Sequence, residues 1–287
     1  MVRFSIIIPT YRANRLKWTL DSIVNLRYPH DKFECLVCDN SHGDEILELT
    51  KNFTQKASFI KYIRANEKES AYYARNVGAK NSLGEILCFI GDDCIVGEKW
   101  LEAMEESFSG SNFSLVKTEI EAGYNNIWDI FMAKKDAFHF EKKYKGDPAG
   151  MVFVVDSMAM EKSVFEKLGF FPEGPRAGDV LFSRKFIESG YKLFYLKSPS
   201  IKHYGFIDFK DFARKAFAYG FDSIVAKTHG ILFTELTFVE NLKFSLIEAP
   251  KYMGGYRYLF PLCLYALFRM AGRMSAKLKL FSENPIK

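Results

Sequence analysis

Between residues 4 and 96 the chain alternates four short apolar runs with three longer amphipathic segments. That alternation restricts the fold more than any other feature. The runs cover 4–8, 33–38, 59–63 and 86–90. Each is too short for an ordinary helix and largely apolar on both faces, as a strand covered on both sides requires. The intervening segments, 15–26, 44–53 and 72–82, read as helices; the first places Leu16, Leu20, Ile23 and Val24 on one face. Tyr28-Pro29 ends the first helix and Gly84 breaks the third. The order β-α-β-α-β-α-β predicts a doubly wound α/β sheet with right-handed crossovers. The 287 residues suffice for one large or two small domains, and a hydrophobic content of 48% supplies a core.

Polar residues fall at one place in this pattern. Pro9-Thr10-Tyr11, Asp39-Asn40 and Asp92-Asp93 each follow a different strand. Parallel strands bring those C-terminal ends to one edge, where open α/β sheets bind ligands. No glycine-rich loop follows the first strand, which argues against a dinucleotide or P-loop site. Phosphates then need another counter-charge. Two adjacent acids can hold a divalent cation, and the cation can hold a diphosphate. Taken alone, Asp-Asp also suits a solvated turn.

The motifs Ser5-Ile6-Ile7-Ile8-Pro9-Thr10-Tyr11, Cys38-Asp39-Asn40, Ala74-Arg75-Asn76-Val77-Gly78 and Phe89-Ile90-Gly91-Asp92-Asp93-Cys94 resemble, in order, those of family 2 glycosyltransferases. The resemblance continues through Asp156-Ser157-Met158-Ala159-Met160, Gly178-Asp179, Ser189-Gly190-Tyr191 and His203, and spans roughly residues 4 to 220. It implies a GT-A fold: a Rossmann-like, mostly parallel sheet flanked by helices, here followed by a C-terminal helical extension. It also implies roles. Pro9, Thr10 and Tyr11 would line the nucleotide pocket, with Tyr11 against the base. Asp39 would bond the base edge, typically uracil. Arg75 would contact the nucleotide or its phosphates, Asp92 the ribose and Asp93 an Mn²⁺ or Mg²⁺ ion. His203 would be a further metal or phosphate contact, and Asp179 the general base. The implied reaction is inverting transfer of a sugar from a nucleotide diphosphate sugar, UDP by analogy, to an acceptor hydroxyl. The family often carries three acids where this chain has Gly91-Asp92-Asp93, and Glu-Asp where it has Gly178-Asp179.

Plainer roles are open to the same residues. Asp179 suits a helix N-cap, Asp39 an Asx turn and His203 a core or edge histidine. Tyr72 and Tyr73 read as packing residues. Two other functions compete. A nucleotidyltransferase would need a glycine-rich basic loop after the first strand, which Pro9-Thr10-Tyr11-Arg12 lacks. A catalytically weak scaffold that only binds nucleotide sugars would fit Gly91 and Gly178 in place of acids.

The expected boundaries are a glycosyltransferase domain over 1–220, with a nucleotide half 1–96 and an acceptor half 97–220, and an extension over 221–287. Residues 117–150 mix lysines with aromatics and acids, which reads as a charged, solvated helix face rather than a nucleic-acid surface. Pro199 reads as a turn. Cys35 and Cys38 form a C-x-x-C inside a strand, where they face opposite ways and read as buried thiols. No signal peptide opens the chain, which predicts a cytoplasmic protein. Residues 250–287 hold Lys251, Arg257, Arg269, Arg273, Lys277, Lys279 and Lys287 against Glu283 alone. The apolar run 259–271 is too short to span a bilayer. With Arg269, Arg273 and Lys277 along one edge, it is expected to lie on an anionic membrane surface, at the cytoplasmic face of the cell membrane. A lipid-linked or cell-surface glycan acceptor would suit such a tail.

Overall fold

The computed structural model describes residues 1–65, 70–110, 112–143, 155–173, 178–228, 251 and 255–283. The alternating pattern folds as the sequence predicts. Strands β1 (Phe4–Thr10), β2 (Phe33–Asp39), β3 (Ile60–Arg64) and β4 (Ile86–Ile90) pair in parallel in the order β3-β2-β1-β4. Helices α1 (Ala13–Val24), α2 (Glu45–Thr54) and α3 (Ala71–Asn81) form the crossovers. Every residue of β1, β2 and β4 is buried, which is why apolar residues stand on both faces of these runs rather than alternating with exposed polar ones.

Beyond β4 the sheet changes direction. Strands β5 (Cys94–Val96), β6 (Leu115–Ala122), β7 (Ser157–Glu161) and β8 (Leu193–His203) extend it in the order β4-β7-β6-β8-β5. The pairs β4–β7, β6–β7 and β5–β8 are antiparallel. Two registers position the site. Ile90 pairs with Ser157, so Asp156 arrives beside Gly91. Cys94 pairs with His203, so the imidazole arrives beside Asp93. Pro199 lies within β8 rather than in a turn; the residues that pair with β5 begin beyond it, at Ile201.

Helices α4 (Trp100–Phe108), α6 (Lys162–Lys167) and α7 (Gly178–Glu188) complete the unit that contains the sheet. Its core joins Phe4, Ile6, Ile8, Leu16, Leu20, Cys88, Ile90 and Trp100. All five cysteines are free thiols, with Cys35 and Cys38 buried as expected. Gly78 lets α3 rest on the sheet: a Cβ there would lie 2.6 Å from Ile7 and 2.7 Å from the Cys38 sulfur.

A second compact unit takes over at Ala122 and again at Tyr204. Helices α5 (Ile127–Lys143), α8 (Phe209–Thr228) and α9 (Leu259–Glu283) belong to it, around Phe131, Phe206, Phe212, Tyr258, Leu262 and Tyr265. The solvated-face reading of 117–150 fails over its described part. Phe131 and Phe140 are buried, and so is Asp129, whose carboxylate accepts the N–H groups of Tyr124 and Phe206 at 2.8 and 2.9 Å. The acid satisfies backbone donors rather than facing water. Residues 144–150 lie outside the described part. Among the described residues, no helix is long and apolar enough to cross a membrane.

Candidate active site

The three polar groups at the strand ends converge as the topology requires. Thr10 ends β1 and donates its hydroxyl to Asp92 Oδ2 at 2.8 Å. Pro9 is buried beside it, and Tyr11 stands half-exposed at the rim. Burial and the neighbouring Asp93 charge push the Asp92 carboxyl up to about 6, against the opposing Thr10 bond and Arg15 charge.

Asp93 sits between a cation and an imidazole. Its Oδ2 is 3.3 Å from the Arg15 guanidinium and its Oδ1 3.3 Å from His203 Nε2. Donor atoms of Asp93, Cys94 and His203 lie within 4.8 Å of one another. This donor set fits a divalent cation of the Mn²⁺ type, with a hard carboxylate joined to an imidazole. Burial drives the Cys94 thiol well above its usual range, so it stays protonated and is a poor ligand for such an ion. Gly91 leaves the space open: a Cβ there would lie 2.7 Å from Asp93 Oδ1.

Asp39, fully buried at the end of β2, is already well served. It accepts the Ser41 N–H at 2.8 Å and the Tyr62 hydroxyl at 2.7 Å, and pairs with Arg64 at 3.0 Å. A carboxylate offers about four lone-pair sites, which leaves one for a ligand.

Helix α3 carries the next group. Ser70 caps it by accepting the Tyr73 N–H at 3.3 Å. Arg75 is buried and ion-paired with Asp156, and its Nε has no acceptor among the described residues. Asn76 clamps the chain that leads towards α7, giving its amide to the Phe171 carbonyl at 2.8 Å and accepting the Phe171 N–H at 3.0 Å. Asp179 lies in the first turn of α7 and accepts the Val180 N–H at 2.9 Å. Burial raises its carboxyl above the ordinary range, although the Tyr72 hydroxyl, the Val180 N–H and Arg75 pull it down.

Every nucleotide, metal and catalytic residue expected from the sequence therefore belongs to one unit of the fold, and Asp92, Asp93, Asp156 and Asp179 are linked through shared fields. Three contributors are not evident from the chain alone: Arg15, Asp156 and Tyr72. Asp156 stands inside a recognised motif, but nothing local shows that it meets Arg75. Four carboxylates, Asp92, Asp93, Asp156 and Asp179, face two guanidiniums, Arg15 and Arg75. With all ionised the cluster sums to −2, the charge that one divalent cation offsets.

Known proteins resemble this chain in sequence and in fold. The sequence profile of the family "Glycosyl transferase family 2" matches residues 5–169. "Glycosyltransferase AglE" of Haloferax volcanii is 29% identical over 191 residues, which is 66% of this chain and 62% of that protein's length. The chain thus spans less than two thirds of that relative. Among solved structures, a mannosyltransferase from Pyrobaculum calidifontis in complex with GDP-Man and Mn²⁺ superposes with a TM-score of 0.63 at 17% identity, covering 98% of this chain and 79% of the other. Staphylococcus aureus TarS 1-349 in complex with UDP-GlcNAc gives 0.55 at 14% identity, covering 100% and 93%. At such identities the likeness is one of fold, and the fold is GT-A. The profile covers more than half of the chain, from β1 through α6, including the Asp92-Asp93 strand end, and the chain belongs to glycosyl transferase family 2.

Proposed function

We propose that this protein is a metal-dependent, inverting glycosyltransferase that moves a sugar from a nucleoside diphosphate sugar, UDP by analogy, to an acceptor hydroxyl. The observation that carries the reading is the acid cluster, four carboxylates facing two guanidiniums, with a carboxylate–imidazole pair at 3.3 Å. A diphosphate would be repelled by this cluster on its own. Asp93 and His203 would hold Mn²⁺ or Mg²⁺, and imidazole favours the former. When bound, the ion would offset negative charge on the leaving diphosphate. Arg75 Nε is a buried donor open to a phosphate oxygen or the donor sugar. Thr10 aims Asp92 towards the ribose, Pro9 and Tyr11 flank the base, and Asp39 offers its remaining lone pair to the base edge. Asp179 takes the proton of the acceptor hydroxyl as that oxygen attacks the anomeric carbon. Attack from the side opposite the diphosphate inverts the centre.

The two glycines that replace family acids do not weaken this reading. Gly91 makes room beside Asp93, and Gly178 makes room beside Tyr72. On the acceptor side, a lipid-linked or cell-surface glycan agrees with the basic C-terminal segment. The domain reading assigns 1–96 to the donor and 97–220 to the acceptor.

Calorimetric titration of UDP, GDP, UDP-GlcNAc and GDP-Man, with and without Mn²⁺, tests the proposal. Binding of one base class that needs the metal and weakens at least ~10-fold in Asp93→Ala is expected, since that loss corresponds to about 1.4 kcal/mol. Binding indifferent to both metal and substitution would remove the mechanism, and metal-dependent binding without turnover would favour the scaffold.

A further inference from the structure

Gly178 opens α7 at the position where the family motif carries an acid. A Cβ on Gly178 would lie 2.9 to 3.1 Å from ring carbons of Tyr72. The space an acidic side chain would enter is therefore taken by an aromatic ring. That ring is itself held from two sides, with the Phe171 ring centroid at 5.7 Å and the Arg75 guanidinium 5.7 Å from its own centroid. With its ring against Gly178, the Tyr72 hydroxyl is a neighbour of Asp179 and acts on both its backbone N–H and its carboxylate.

Those two interactions do different work. The first turn of a helix leaves N–H groups without intrahelical partners, and Tyr72 satisfies one of them from outside. The donated proton orients the carboxylate and favours its ionised form, which desolvation opposes. The charged groups facing Asp179 are Arg75 from α3 and Asp156 from the segment before β7, and they act in opposite directions. Tyr72 keeps its proton through the neutral range, because burial and the Asp179 charge hold it far above the usual phenol value. It is thus a permanent donor.

We propose that Tyr72 is the positioning residue for Asp179, and that Gly178 is the substitution that admits it. In this chain an aromatic hydroxyl on α3 supports the carboxylate where the family usually places a neighbouring acid. The proposal deepens the reading of Asp179 as general base and rests on it for its catalytic consequence.

The test uses the full chain labelled with ¹³C at aspartate carboxyl carbons. The Asp179 signal is the one missing from Asp179→Asn, and its titration is followed in wild type, Tyr72→Phe and Gly178→Ala. In Tyr72→Phe the midpoint is expected about one pH unit higher, the size of one lost charge-assisted hydrogen bond. Gly178→Ala, which pushes the ring aside but keeps the hydroxyl in the chain, is expected to move it the same way. Unchanged midpoints in both folded variants overturn the proposal. Release of nucleoside diphosphate from UDP-GlcNAc and GDP-Man with Mn²⁺ adds the kinetic readout. Tyr72→Phe should lower kcat by ~10-fold or more, with the KM for donor within about two-fold. If Asp179→Asn keeps full turnover, the base reading fails while the titration still judges Tyr72. If Asp179→Asn is inactive and Tyr72→Phe matches wild type in both midpoint and kcat, Tyr72 is not the positioning residue.

Discussion

The chemistry turns on how carboxylates of one type are given different environments. Asp92 leans on a threonine, Asp93 on an arginine and an imidazole, Asp156 on a buried arginine, and Asp179 on a tyrosine and its own helix. Desolvation raises the Asp179 carboxyl, and in its proposed role as base it works only when ionised. The rate should therefore fall as pH drops through a midpoint above the ordinary carboxylate range of ~4. Initial rates between pH 4 and 8, at saturating donor and metal, check this. In Asp179→Asn the rate should drop ~10²- to 10⁴-fold and the acid limb should vanish. At this scale the sequence reveals those acids that stand in recognisable local motifs. It conceals their partners, because Tyr72 meets a residue more than a hundred positions later and Arg15 reaches Asp93 from another helix. The glycines are legible only as departures; the structure supplies the reason for each, a neighbour that occupies the missing side chain's space.

Elements set those meetings. Glu34, buried near the start of β2, ties three neighbours together. It accepts the Ser5 hydroxyl of β1 at 2.8 Å, the Lys61 ammonium of β3 at 2.7 Å and the Leu83 N–H ahead of β4 at 2.5 Å. Burial alone would raise its carboxyl, but the bonds from Lys61, Leu83 and Ser5 outweigh that and hold it below the usual value. A lowered native value means that the stabilisation is fully present above the unfolded value near ~4.3 and is lost as pH falls through the native one. Urea unfolding of Glu34→Gln should show a loss of about 2 kcal/mol at pH 7, and the gap to wild type should close towards pH 3. The parallel half of the sheet is legible because each crossover is local and the periodicity switches cleanly between strand and helix. The antiparallel half is not, because β7, β6, β8 and β5 take their places out of chain order, and composition carries no register. The same limit explains α5, whose lysines look solvated in sequence. Lys134 and Lys135 instead lie over the Tyr258 and Tyr265 rings.

For the molecule as a whole, the C-terminal segment raises the question of partners. Helices α8 and α9 meet through glycines: a Cβ on Gly220 would collide with the Arg269 carbonyl, and one on Gly272 with the Phe217 carbonyl. Arg273 turns inward and donates to the Ser223 hydroxyl at 3.2 Å, and Arg269 lies over the Tyr265 ring, so this part of the basic edge is partly spent on packing. The outward face is apolar instead, with Leu267, Met270, Met274 and Leu278 exposed and Lys277 and Lys279 also exposed. Lys287 lies outside the described residues. Such a face agrees with the proposed contact with an anionic membrane. Co-sedimentation with vesicles rich in anionic lipid is expected, and Leu267→Glu with Met274→Glu should reduce it at least ~10-fold. Recovery of the wild type wholly in the supernatant would sink the idea.

The pairing of Cys94 with His203 reaches further than the coordination it permits. β5 is a three-residue strand at the end of the sheet, and its partner β8 is the last strand among the described residues. Asp93 and His203 therefore stand at the two ends of a long loop of chain, residues 94 to 202. The β5–β8 pairing already joins the two ends of that loop, and an ion held by both would reinforce the closure. Filling the proposed metal site and strengthening the seam between β5 and β8 would then be a single thermodynamic event.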